Sequence, residues 1–140
     1  MFTHYRAHFE ANALRPLPPV DIPPLSEPQR VALARSLAVF QLGETGEGRI
    51  AHQIDHVELP LVDADYRACL KRFIAEEGRH ARVLGLMVKA LGGRLLRHSW
   101  THHLFVFARR LMGVRFKLLV LLAAEVIAIG FYGLLARALP

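Results

Sequence analysis

A chain of 140 residues has the length of one domain, and its 53% hydrophobic and 21% charged residues exclude wholesale disorder. The net charge of +6 would suit nucleic acid, but the basic residues are not interleaved with stacking aromatics, so we expect no nucleic-acid partner. The single cysteine, Cys69, cannot form an internal disulfide, and no export signal is recognisable at the N-terminus. We therefore expect a cytoplasmic protein.

Proline dominates the part of the chain that precedes the first predicted helix. Six prolines lie between residues 16 and 28, and proline fixes its own φ angle and lacks the amide hydrogen that helices need. We therefore predict an extended, proline-rich N-terminal segment over residues 1–25 and a helical domain over residues 26–140.

Three long helices are predicted in this helical domain. The first covers about residues 27–55 and begins with a Ser-x-x-Gln capping-box pattern. The second covers about residues 63–91 and stops at a Gly-Gly pair, a typical C-terminal signal. The third covers about residues 114–139, after a long connection. No segment shows the alternation of a strand, so the predicted fold class is all-α.

The second predicted helix carries a glutamate and a histidine on its apolar face. Residues at steps of three or four form one face of a helix. The members of this face are Tyr66, Leu70, Phe73, Glu77, His80, Leu84, Met87 and Leu91. Glu76 lies about 100° away from it. Glu77 and His80 thus form a Glu-x-x-His pair, and a carboxylate on an apolar face needs a partner or a metal ion. A solvated, charge-rich turn is the alternative interpretation of so short a motif.

The other two predicted helices also place acids on apolar faces. Glu44 and Glu47 follow Leu37 and Phe40 at helical spacing in the first helix. Glu125 is the one acid within residues 118–136 of the third. Three helices that present Glu, Glu-x-x-His and Glu inward match the ligand layout of a carboxylate-bridged di-iron or di-manganese bundle. Hard carboxylate oxygens balance the charge of two divalent ions, and imidazole is a neutral ligand.

With these residues the chain resembles the ferritin-like superfamily. Its G-E-T-G-E-G-R stretch is similar to the first helix of rubrerythrins, which favours Glu44 over Glu47 as the ligand of that helix. The resemblance implies a ferritin-like four-helix bundle with a long crossover before the third helix. It also implies metal ligands Glu44, Glu77, His80 and Glu125, and a non-haem di-iron cofactor, or manganese in its place. The implied function is an oxidoreductase that uses dioxygen or peroxide, and iron storage without substrate oxidation is an alternative.

Two features extend or limit this resemblance. Tyr132 lies on the same face as Glu125 and is a candidate for a catalytic role, although a packed core tyrosine is the commoner meaning of such spacing. The second Glu-x-x-His of the superfamily, on a fourth helix, is missing. We therefore expect either a fourth helix beyond Pro140 or a homo-oligomer in which two copies share one site.

A membrane protein is the alternative from another class. Residues 118–136 are long and apolar enough to be a candidate for entering the bilayer, and basic residues flank both ends. A single span, or association with the inner face of the membrane, would follow. Neither arrangement explains why the first two helices carry acids on their apolar faces.

Overall fold

The computed structural model describes residues 2–45, 62–97, 107 and 114–138. Within these residues the chain forms four helices and no strand. The helices are α1 (Phe2–Ala13), α2 (Glu27–Glu44), α3 (Ala64–Ala90) and α4 (Val114–Ala138). The predicted all-α class is confirmed.

Helices α2, α3 and α4 correspond to the three helices that the sequence predicts. α3 and α4 begin and end within one residue of the predicted bounds. α2 begins at the predicted residue and ends at Glu44. Most of its predicted continuation to about residue 55 falls in residues 46–61, outside the described part of the chain.

The N-terminal segment differs from the prediction. Residues 1–25 were expected to be extended, but α1 occupies Phe2–Ala13, so the predicted count of three helices is not matched. The physical reason is the position of the prolines. They begin only at Pro16, and the twelve residues of α1 contain none. The division of the chain into segment and domain at residue 25 stays a prediction.

α1 is held by its contacts with α3. The ring of Phe2 meets that of Tyr66 edge-on, with centroids 5.2 Å apart, and Phe9 meets Phe73 in the same way at 6.3 Å. Such aromatic pairs add about 0.5–1.5 kcal/mol beyond the area they bury. Because both sequence numbers rise together along the interface, α1 runs parallel to α3.

Local signals at the helix ends explain where α2 and α3 begin and end. The backbone N–H of Ser26 donates to Oε1 of Gln29 at 3.0 Å, which completes half of the predicted capping box. Oδ1 of Asp63 accepts from the N–H of Tyr66 at 2.7 Å and caps α3. Gly92 adopts a φ of 74° just beyond α3, a left-handed conformation that turns the chain out of the helix.

The core forms between α2 and α3. Its buried members are Leu33, Ala34, Leu37, Ala38, Leu84, Val88 and Leu91. The start of α2 therefore lies beside the end of α3, and the two helices are antiparallel. This arrangement places Glu44, at the end of α2, beside the middle of α3.

α4 joins this core through one face and exposes another. Phe131, Tyr132 and Leu135 pack against the core cluster. Its exposed large apolar residues are Leu119, Leu122, Val126, Ile127, Ile129 and Leu134. Within the described parts of the chain, no helix combines the length and the apolar character needed to cross a membrane.

Candidate metal centre

Three of the predicted ligand residues lie together at mid-length of the bundle. One ligand atom from each of Glu44, Glu77 and His80 lies within 4.8 Å of the other two. α3 supplies Glu77 and His80 one helical turn apart, and the end of α2 supplies Glu44. The helical phase inferred from the sequence is thus the reason that side chains thirty-three residues apart meet.

Burial differs across the cluster. The Glu77 side chain is almost completely buried, with an exposure of 3% for the residue. Glu44 is half-buried, and the side chain of His80 is 53% exposed. An ion that enters the cluster from solvent therefore reaches His80 before it reaches Glu77.

The neighbouring acid, Glu76, lies outside this cluster. Its Oε1 accepts a hydrogen bond from Nδ2 of Asn12 at 3.2 Å. Glu76 thus helps to hold the end of α1 against α3, while Glu77 faces the inside of the bundle. The sequence-based choice of Glu77 over Glu76 agrees with this geometry.

Glu77 and His80 shift each other's pKa. Burial by itself raises the pKa of Glu77, but the side chains of His80 and Glu44 outweigh it, and the net effect is a lowered pKa. The adjacent Glu77 carboxylate raises the pKa of His80, against the opposing effect of burial. Nδ1 of His80 lies 3.6 Å from Oε1 of Glu77. The raised pKa of His80 means that the neighbouring Glu77 carboxylate favours its imidazolium form.

Glu125 and Tyr132 of α4 face the same region. Burial raises the pKa of Glu125, and the nearby Glu77 charge adds to this effect. Burial, followed by the charges of Glu44, Glu125 and Glu77, raises the pKa of Tyr132 to about 12. Tyr132 therefore keeps its proton near neutral pH, and its hydroxyl is a hydrogen-bond donor.

An open cleft of about 580 Å³ adjoins the cluster. α3 and α4 form two of its walls, and the chain from Asn12 to Pro18 forms a third. Glu44, His80 and Glu125 line it at the level of the cluster. The cleft connects the candidate metal site to a space of the size that small-molecule sites have.

The chemistry of the donor set fits a divalent ion of the iron or manganese type. Carboxylate oxygens suit manganese, and imidazole with carboxylate is the ligand set of many non-haem iron sites. Glu44, Glu77 and His80 would be the ligands closest to one another, and Glu125 would approach from α4. A pair of ions in such bundles takes four Glu and two His ligands, whereas the described residues of this group supply three Glu and one His. The described residues thus supply fewer ligands than a pair of ions takes.

The structure thus brings Glu44, Glu77 and His80 together and places Glu125 and Tyr132 beside them. Their roles as ligands or reactants stay predictions. Glu47, the alternative to Glu44, lies outside the described residues.

Sequence reasoning missed the part of the site that the N-terminus contributes. The cleft wall from Asn12 to Pro18 lies some sixty residues before the α3 residues that it faces. No spacing or motif links the two. Sequence reasoning also missed the hydrogen bond that the Arg79 side chain donates to the backbone oxygen of Arg15.

Comparison with known proteins adds no relative to this description. No protein-family model, no curated protein and no solved structure matches the chain.

Proposed function

We propose that this chain is a ferritin-like carboxylate protein that binds iron or manganese and uses the metal in oxidative chemistry with dioxygen or peroxide. The observation that carries the proposal is the convergence of Glu44, Glu77 and His80 within 4.8 Å. Buried carboxylates are costly unless they are paired or bound to a metal ion. Glu77 is nearly inaccessible, and the side chains of His80 and Glu44 interact with its carboxylate.

The residues of the chain prepare this site in three ways. Glu77 has a lowered pKa, so it is available as an anionic ligand, and His80 becomes a neutral ligand when it releases its proton. Tyr132 holds its proton and can donate a hydrogen bond at the cleft. A bound iron ion would supply the redox chemistry that these side chains lack.

The number of ions follows from the ligand count. The described residues suffice for one ion, and a dinuclear centre requires further ligands. A second copy of the chain that packs on the exposed face of α4 would supply them. The metal-to-protein ratio and the mass by light scattering, measured together, separate the two forms: one ion per monomer, or metal-dependent formation of a dimer.

Metal binding is the first test of this proposal. The chain is freed of metal with a chelator, dialysed against Fe(II) under argon or against Mn(II), and analysed for bound metal. Glu77→Gln and His80→Ala should each weaken binding by about 100-fold or more, since even the loss of an outer partner of a ligand costs 10- to 100-fold. The matched control is Glu76→Gln, which removes the adjacent carboxylate and should change the affinity by less than about threefold.

The result that contradicts metal binding is equally specific. If the wild-type chain retains no more metal than the double variant Glu77→Gln, His80→Ala, the cluster is a structural ion pair. If Glu76→Gln weakens binding as much as Glu77→Gln, the assignment of the ligand within this acidic pair is wrong.

Iron storage is the competing function for the same ligands. The cleft beside the cluster favours a reaction with a bound molecule, because storage needs no such space. Iron loading in air distinguishes the two. An oxidoreductase should hold a fixed, small number of ions per chain and consume dioxygen or peroxide repeatedly, whereas a storage protein should accumulate iron far beyond that number.

A further inference from the structure

The cleft beside the cluster changes from polar to apolar along α3. The lining residues Glu76, Arg79 and His80 are followed by Val83 and Met87. Residues at these steps of three or four share one face of a helix. The seven residues from His80 to Met87 correspond to about 10 Å at about 1.5 Å per residue. The cleft therefore extends beyond the cluster, and its extension on this wall is apolar.

The wall that α4 contributes changes in the same direction. Glu125 lines the cleft at the level of the cluster. Phe131 stacks on Phe40 of α2, and because α2 is antiparallel to α3, Phe40 marks a level further along α3. The later residues of α4 therefore lie beside the later residues of α3. Ile129, one turn after Glu125, lines the apolar part of the cleft.

The N-terminal segment forms the third wall and shows the same change. Nδ2 of Asn12 donates to Glu76 at 3.2 Å, and the backbone oxygen of Arg15 accepts from Nη2 of Arg79 at 2.7 Å. The segment therefore follows α3 in the same direction. Leu17 comes next and is half-buried between two exposed prolines. Three elements thus contribute polar groups to one part of the cleft and hydrocarbon to the next.

The charges of the polar part oppose one another. Three acidic and three basic side chains are among the described residues that line it, and they are Glu44, Glu76, Glu125, Arg15, Arg79 and His80. The hydrogen bonds of Glu76 and Arg79 are made with neutral groups, so both side chains keep their charges. A ligand ion of either sign would meet like charges beside opposite ones, and it would give up part of its hydration to enter. An uncharged ligand avoids both costs.

A hydroxyl group suits this mixture of donors and acceptors. The carboxylates accept hydrogen bonds, whereas Arg79 donates them, and Tyr132, which also lines the cleft, holds its proton near neutral pH and donates as well. A hydroxyl can donate to the first group and accept from the second without carrying a charge. In the apolar part, an alkyl chain would be removed from water at about 25 cal/mol for each Å² that is buried.

We propose that the cleft binds an uncharged amphipathic molecule of the medium-chain alcohol class, with its hydroxyl in the polar part and its alkyl chain along Leu17, Val83 and Met87. The inference names a substrate class for the proposed metal centre and rests on that proposed function for any reaction. Binding itself does not require the metal.

Binding is measured on the full-length, metal-free chain with three probes that share one tail. 1-Octanol, octanoate and octylammonium carry a neutral, a negative and a positive head, and each is titrated in a calorimeter below the concentration at which it aggregates. 1-Octanol should bind at a ratio of one per chain and at least about fivefold more tightly than either ion. Ethanol, which has the head without the tail, should bind at least about a hundredfold more weakly than 1-octanol.

Variants of the N-terminal segment test the position of the tail. Leu17→Asp places a charge in the apolar part and should weaken the binding of 1-octanol by about tenfold or more. The control is Leu14→Asp, in the same segment, at a residue that is 87% exposed and lies outside the cleft. If Leu17→Asp disturbs the fold, Ile129→Asp with Ile127→Asp as control makes the same comparison on α4, where both residues are exposed.

Two charge variants test the position of the head. The ratio of octanoate to octylammonium affinity is measured by displacement of 1-octanol. Glu76→Gln keeps an acceptor for Asn12 but removes a negative charge, so this ratio should rise by at least about threefold. Arg79→Gln should lower it by a similar factor, and Arg82→Gln, at an exposed residue outside the cleft, should leave it unchanged.

Each outcome either supports or overturns the assignment. If octanoate or octylammonium binds as tightly as 1-octanol, the cleft prefers a charged ligand. If 1-octanol does not bind, or if the aspartate variants equal their controls, the alkyl chain does not occupy the cleft. If Glu76→Gln and Arg79→Gln leave the ratio unchanged, the head does not lie in the polar part. These failures leave the metal measurements untouched, and a failure of metal uptake with normal binding of 1-octanol leaves the ligand assignment standing without a metal centre.

Discussion

Phe40 of α2 and Phe131 of α4 stack on each other, with ring centroids 4.6 Å apart and an angle of 21° between the ring planes. Phe40 also contacts Tyr132 at 5.5 Å. Phe40 lies one helical turn before Glu44, and these contacts tie α4, with Glu125, to the two helices that form the core. Phe40 is therefore one of the residues that hold the α4 side of the site in place, together with the packing of Leu135 on the core cluster.

The first prediction concerns this aromatic contact. Phe40→Ala should lower the free energy of unfolding by about 2–3 kcal/mol, somewhat less than the cost at a completely buried phenylalanine. The measurement is a urea titration, and Val39→Ala, at an exposed neighbour, should cost less than about 0.5 kcal/mol. Equal losses in the two variants would show that the aromatic contact does not hold α4.

Glu125 gives a second prediction, because its raised pKa means that the fold disfavours its charge. Glu125→Leu should raise the free energy of unfolding of the metal-free protein by about 1 kcal/mol or less, since the group is partly exposed and solvent screens part of the effect. The same variant should bind metal more weakly. A urea titration of the metal-free protein and metal dialysis test the two parts. Lower stability of the metal-free variant would mean that Glu125 has a protein partner and is structural.

The agreement between sequence and structure is greatest where helical periodicity decides the outcome. The period of 3.6 residues separates Glu77 from Glu76 by phase alone, and the structure places Glu77 inside and Glu76 against α1. Helical periodicity also predicted the faces of α2 and α3 that form the core. Local signals predicted the start of α2, through its capping box, and the end of α3, through the Gly-Gly pair, to within one residue.

What periodicity does not reveal is which elements pack against each other at long range. α1 has a composition without a strong apolar stripe, and its partner on α3 lies more than sixty residues away in the sequence. The contacts of Phe2 and Phe9 with α3 depend on the folded arrangement rather than on local preference. For the same reason the cleft wall near Leu17 was not predictable from its own residues.

Glycines at and near the end of α3 give a third prediction. A Cβ atom on Gly93 would lie 2.8 Å from Cβ of Ala34 and 3.1 Å from the backbone oxygen of Val88. Gly93→Ala should therefore destabilise the protein by about 1–3 kcal/mol, because α2 and α3 must move apart to admit the methyl group.

The matched control lies inside α3, whereas Gly93 lies just beyond its end. A Cβ atom on Gly78 would meet nothing within 4 Å, and alanine is preferred to glycine inside a helix by about 0.5–1 kcal/mol. Gly78→Ala should thus stabilise the chain. Thermal unfolding of both variants checks the pair, and a stabilising Gly93→Ala would show that the two helices are not in close contact there.

The last prediction uses pH to test how α1 is held. Oε1 of Glu10 accepts hydrogen bonds from the side chains of Arg72 on α3 and Arg6 on α1, and these two bonds, that of Arg72 first, lower the pKa of Glu10. A lowered pKa in the folded state means that the carboxylate stabilises the docked helix above the ordinary glutamate value of 4.5. This stabilisation is lost as the pH falls through the lowered value.

Cys69 reports directly on this docking. It is buried, and its Sγ donates to the backbone oxygen of Phe2 at 3.2 Å. Because it is the single cysteine of the chain, its rate of labelling at neutral pH measures how often α1 leaves α3. Glu10→Gln should raise this rate by about two- to fivefold, the range expected for a surface ion pair. Glu27→Gln, which removes an exposed ion pair with Arg30 on α2, should leave the labelling rate unchanged.

The pH dependence completes the argument with a second measurement. The difference in urea midpoint between wild type and Glu10→Gln should be constant above the ordinary pKa of glutamate. It should vanish at lower pH, once Glu10 is protonated in both the folded and the unfolded chain. A difference that persists in acid would show that the glutamine variant disturbs α1 by its shape, and that the charge of Glu10 does not hold the helix.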